Sequence, residues 1–74
     1  MERIPVEQLE LGDSIATPRG KRVRVQRVDF YPEKQVGDHV VPEGYVIRWA
    51  AGERLGSFVS YPKGKLVPVI ARVR

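Results

Sequence analysis

Between Thr17 and Val28 the chain reads Thr-Pro-Arg-Gly-Lys-Arg-Val-Arg-Val-Gln-Arg-Val, five cations and no anion in twelve positions. If Val23 and Val25 turn inward on a strand, Arg22 and Arg24 project outward about 7 Å apart, comparable with the spacing of phosphates along a nucleic-acid strand. Arg19 and Lys21 stand at the adjoining turn, and Arg27 continues the run. A second carboxylate-free segment, residues 57–74, adds Lys63, Lys65, Arg72 and Arg74. Such a set holds a polyanion by backbone electrostatics and does not read base sequence. The same pattern also suits an outward strand face kept soluble and discouraged from edge pairing by its charges.

Other chemistries lack their parts. The single histidine, His39, follows Asp38 in a proline-flanked loop with no second imidazole, and the chain has no cysteine, so metal ligation is not expected. Ser60, His39 and Asp29 carry no local signature of a nucleophilic triad. Gly20-Lys21 is followed by Arg22 and Gly64-Lys65 by Leu66, where a phosphate-binding loop places serine or threonine. Glu7 and Glu10, or Asp38 and Glu43, fall in segments expected to be solvated. The chain is therefore expected to be non-enzymatic and to need no cofactor. Tyr31 and Tyr61 are candidate stacking or interaction residues, whereas Trp49 and Phe58 alternate like core side chains.

The elements that must carry these residues read as strands. Glycine or proline interrupts almost every ten-residue window, and no apolar stripe of helical period is sustained beyond a short turn at Val6 to Leu9. Leu11-Gly12-Asp13 predicts a turn into a strand at residues 14–17, and Pro18-Arg19-Gly20-Lys21 the next turn. Residues 22–31 follow as a long strand, in which Val28 falls out of phase with Val23 and Val25, so a bulge is expected near Gln26 or Arg27. Residues 32–44 read as a long connection with a few paired residues around Val40 and Val41. Tyr45, Ile47 and Trp49 share one face of a strand over residues 45–50, and residues 55–61 form the next. Pro62-Lys63-Gly64 predicts a tight or 3₁₀ turn before a last strand over residues 66–73. In that strand Leu66, Pro68 and Ile70 oppose Val67, Val69, Ala71 and Val73, so both faces are apolar, and one is expected to lie in the interior or against a partner chain.

At 74 residues the chain is read as one domain, 1–74, able to bury only about 60% of its unfolded surface. The net charge of +4 favours acidic partners. Residues 1–15 begin acidic and hold no apolar run, and no stretch reaches the roughly twenty apolar residues of a membrane span, so a cytoplasmic location without membrane contact is expected.

Five short strands, with a long loop at about 32–44 and a 3₁₀ break before the last, resemble an SH3-like barrel; an OB-fold would need a longer chain and usually a helix after its third strand. LELGDSIATPRGKRVRV is similar to the Gly-Asp lead-in of small SH3-like modules, including bacterial and phage ones. That resemblance implies an all-β, five-stranded barrel in which the first strand lies between the second and the fifth. Both cationic segments would then share one sheet surface. GDSI, PEGYVI at 42–47 and SFVSYP at 57–62 also fall in the order seen in plasmid-encoded type II dihydrofolate reductases, SH3-like barrels that form tetramers around a pore. In that family a Val-Gln-Ile-Tyr motif lines the pore. Here the matching stretch is Phe58-Val59-Ser60-Tyr61, so only Tyr61 carries over, and Val59 stands where the glutamine would be. The expected partner is nucleic acid; the alternative is a protein or a second copy of the chain meeting the C-terminal strand.

Overall fold

The computed structural model describes residues 2–51 and 54–73, with the backbone alone at 51 and 54–56. Among these residues lie nine strands: β1 (Glu2–Pro5), β2 (Ser14–Ala16), β3 (Arg22–Arg24), β4 (Arg27–Tyr31), β5 (Lys34–Val36), β6 (His39–Val41), β7 (Gly44–Ala51), β8 (Arg54–Pro62) and β9 (Leu66–Ala71). The only helical piece among them is a 3₁₀ turn at Val6–Gln8. The fold is all-β.

Strand pairing gives a four-stranded sheet in the order β1-β9-β2-β3, a three-stranded sheet β4-β7-β8, and a separate β5-β6 hairpin. Every pairing is antiparallel. The strand at Ser14 lies between the strand at Arg22 and the last strand. Side chains alternate across each sheet, so directly paired residues share a face. Ile15 lies between Val23 and Val69, and Ile4 faces Val67. On the second sheet Ile47 lies between Val28 and Val59. The core therefore fills the space between the two sheets, joining Ile4, Ile15, Val23, Val67 and Val69 to Ile47, Trp49 and Tyr61, with Val6, Leu9 and Val25. Burying a side chain such as Ile15 or Ile47 completely contributes about 1.5–3 kcal/mol, and without disulfides this burial must offset most of the ordering entropy.

Five strands in one closed barrel are not what forms. The expected long strand at residues 22–31 breaks at Val25 and Gln26, where the chain leaves the first sheet for the second. The Val25 N–H donates to the Asp13 carbonyl at 2.8 Å, and the Gln26 N–H to that of Arg48 at 2.8 Å. The crossing resolves the phase conflict, since Val25 is buried and Val28 packs against the core from the other sheet. The N-terminal segment, read as solvated, instead adds β1 to the outer edge of β9. The connection at 32–44 pairs at Val40 and Val41 as expected, and the pairing extends to a complete hairpin, Val36 opposite His39 across a two-residue Gly37-Asp38 loop. No 3₁₀ turn precedes the last strand: Lys65 N–H closes a simple turn onto Pro62 O at 3.1 Å. That strand also stops at Ala71, short of Val73.

Candidate nucleic-acid interface

The β2-β3 hairpin is a three-residue loop between Thr17 and Lys21. Gly20 N–H donates to Thr17 O at 2.8 Å, Thr17 N–H to Lys21 O at 2.9 Å, and Lys21 N–H to Thr17 Oγ1 at 3.1 Å. Gly20 sits at φ 80°, the left-handed position that such a loop requires and that side-chain-bearing residues resist. This tip presents Arg19 and Lys21 to solvent, and β3 continues with Arg22 and Arg24 exposed on either side of buried Val23. None of these four cations has a carboxylate partner among the described residues.

Across the first sheet, Arg22 and Arg24 share the outward face with Ala16 of β2, with Leu66, Pro68 and Ile70 of β9, and with Arg3 and Pro5 of β1. Among the described residues no carboxylate occupies an outward strand position of this face. Leu66 is 52% exposed and Ile70 38%, leaving an apolar stripe between arginines.

The other cations named from sequence are deployed differently. Arg27 Nε lies 2.8 Å from Asp29 Oδ2, on the outer face of the second sheet, where Arg48 also approaches Asp29 at 3.8 Å and covers the Phe58 ring at 5.3 Å. Lys63 Nζ lies 3.5 Å from Glu43 Oε1. Arg72 Nε lies 3.2 Å from Asp13 Oδ2. Lys65 is exposed, but it sits before β9 while Arg72 lies just beyond its end, so the C-terminal cations do not form one group with the hairpin. Arg74 lies outside the described residues. Exposed pairs such as Lys63–Glu43 stabilise by about 0–1 kcal/mol, yet each carboxylate competes with a phosphate for its cation.

Asp13 was not legible as a structural hub. Its carboxylate is fully buried and accepts from Glu10 N–H at 2.9 Å and Val73 N–H at 2.8 Å besides meeting Arg72. The Gly-Asp turn was the available signal, but its reach to the C-terminal tail depends on tertiary contact.

The aromatic residues also divide. Tyr61 is a core side chain at 6% exposure, unavailable for stacking, and burial raises its pKa above the ordinary 10.0. Tyr31 is half-buried, its hydroxyl donating to the Tyr61 carbonyl at 3.4 Å. Phe58, read as core, is 56% exposed, because it points outward opposite Arg48 while Val59 and Tyr61 point in. Phe30 is 54% exposed and meets Tyr45 edge-on at 5.5 Å. Trp49 is buried as expected.

A cleft of about 490 Å³ separates the hairpin tip from the β7-β8 pair, with Thr17, Arg19 and Lys21 on one wall and Trp49, Ser57 and Val59 on the other. The Trp49 Nε1–H is buried without a hydrogen-bond partner among the described residues, which costs about 1–3 kcal/mol for a group of this kind. His39 lies exposed on β6, and no group of three or more metal-ligating side chains gathers among the described residues. No helix among them is long and apolar enough to cross a membrane. Comparison of the chain with family models, with curated proteins and with solved structures finds no match.

Proposed function

We propose that this chain is a non-enzymatic, SH3-like domain that binds nucleic acid through the β2-β3 hairpin, using Arg19, Lys21, Arg22 and Arg24 against backbone phosphates. The observation that carries this reading is the contrast within one set of cations. Arg27, Lys63 and Arg72 are matched by Asp29, Glu43 and Asp13, whereas the four on the hairpin are exposed and unmatched among the described residues. The short, hydrogen-bonded hairpin fixes the backbone from which these four side chains project, and their charge is not engaged by a carboxylate among the described residues. The central place of Ser14–Ala16 between β3 and β9, and the β4-β7-β8 meander, support the SH3-like description. Binding is to the backbone, without base specificity. The test is to purify the native chain with and without nuclease: co-purifying nucleic acid that nuclease removes supports the reading, and a chain free of nucleic acid in both preparations at about 50 mM salt defeats it.

A second reading has its own observation. The outward face of β9 leaves Leu66 and Ile70 exposed beside half-buried Pro68, a surface suited to a second copy or another protein.

A further inference from the structure

We infer that the outward face of the first sheet seats the minor groove of duplex DNA, so that the ligand is double-stranded. This rests on the proposed phosphate-binding role of the hairpin and adds a second contact to it. Leu66, Pro68 and Ile70 form a ridge along β9 that is one strand wide, with Leu66 52% exposed and Ile70 38%. Arg22 and Arg24 of β3 stand exposed on one side of the ridge and Arg3 of β1 on the other, while Glu2 lies on the opposite face of β1. Arg3, like the β3 pair, has no carboxylate partner among the described residues. Between the ridge and β3, β2 contributes only the small, half-buried Ala16.

Neighbouring strands sit about 4.8 Å apart, so β1 and β3 are separated by three spacings, about 14 Å. Cations on both sides of an apolar line match the cross-section of a duplex groove, in which two phosphate backbones border a floor of sugars and base edges. A single strand has one phosphate line and leaves either Arg3 or the β3 pair unmet. The groove is the minor one. It is about 6 Å wide, which one row of aliphatic side chains fills, whereas the major groove is about 12 Å wide and carries a donor and acceptor code that Leu66, Pro68 and Ile70 cannot read. An RNA duplex has a wide, shallow minor groove that the same ridge does not fill. A second copy presenting this face brings no carboxylate to the arginines from its described strand positions, so charge complementarity favours DNA over self-association.

A labelled A·T-rich DNA duplex, its single strand and an RNA duplex of equal length are titrated with the full chain, following anisotropy. The DNA duplex is expected to bind about tenfold more tightly than the other two, and about tenfold more weakly once its minor groove is filled with netropsin. Leu66→Ala with Ile70→Ala should weaken duplex binding about tenfold and leave the salt slope unchanged, since no phosphate contact is lost. Arg3→Gln should lower that slope by about 0.9. Equal binding of duplex and single strand, or a netropsin-filled duplex that binds as before, overturns the minor-groove contact while leaving the electrostatic reading in place; neither result depends on a variant folding. An alanine pair that leaves duplex affinity untouched but abolishes a concentration-dependent dimer mass assigns the ridge to a second copy and overturns the contact likewise. No binding of any oligomer at about 50 mM salt overturns both.

Discussion

The guanidinium of Arg72 reaches back to the buried carboxylate of Asp13, Nε to Oδ2 at 3.2 Å, and so ties the C-terminal tail to the turn that starts β2. Asp13 has no exposed surface, and its other oxygen takes the Val73 N–H at 2.8 Å. The same turn receives the crossing point of the two sheets, through Val25 N–H on the Asp13 carbonyl. Tail, turn and crossing are thereby held by one residue, and the pair fixes the base of the hairpin that carries the free cations.

Removing the Asp13 carboxylate should therefore cost far more than removing a surface charge. Asp13→Ala leaves the Glu10 and Val73 N–H groups without their acceptor, two hydrogen bonds to a charged group worth about 1.5–3 kcal/mol each, and leaves the exposed Arg72 without its partner, a loss of about 3–5 kcal/mol in all. Stability for a domain of this size is roughly 4–11 kcal/mol, so the urea midpoint should fall by about a quarter or more. A change within about 0.5 kcal/mol would contradict the role given to Asp13.

Gly44 is required for close approach. A Cβ there would meet the Tyr61 carbonyl oxygen and the Tyr31 hydroxyl, both fixed by the β4-β7-β8 pairing. Gly44→Ala should destabilise by about 1–3 kcal/mol by urea unfolding, and Tyr31→Phe in the same background should recover part of the loss.

Alkaline pH should weaken the fold through Tyr61. Burial favours its neutral form, so the folded pKa lies above the ordinary 10.0. The stabilisation is complete below the unfolded pKa and is lost as pH rises toward the folded one, because the unfolded chain releases its proton first. Urea midpoints measured across this range should fall, and those of Tyr61→Phe should fall less. Parallel curves for the two proteins would remove the assignment to Tyr61.

The apolar stripe on β9 makes a separate prediction. If it meets a second copy, light scattering across a dilution series should show mass falling from dimer to monomer, and Leu66→Glu with Ile70→Glu should give monomer throughout. A monomer mass at every concentration in the wild type would exclude self-association by this face.

Some of this architecture was legible because single strands record their burial in alternation. Tyr45, Ile47 and Trp49 announce β7, and Val23 announces both the inner face of β3 and the exposure of its arginines. β1 was not legible: of its four residues only Ile4 is buried, and the acidic surroundings resemble a solvated tail. The β5-β6 hairpin contributes no fully buried side chain, so its pairing leaves no hydrophobic pattern. Charge was legible as a sum and not as a map. Arg27 has its carboxylate two residues away, but Lys63 and Arg72 find theirs across the fold, and only tertiary structure separates the matched cations from the four on the hairpin.

Those four cations carry the functional account. The most direct measurement is the salt dependence of oligonucleotide anisotropy for the wild type and for Arg22→Glu with Arg24→Glu. Four phosphate contacts give a slope of about 3 in log affinity against log salt for single strands, and losing two should lower it by about 1.4 and weaken binding at every sequence tried. Equal affinity and slope in the two proteins, or no binding by the wild type at about 50 mM salt, would contradict the account.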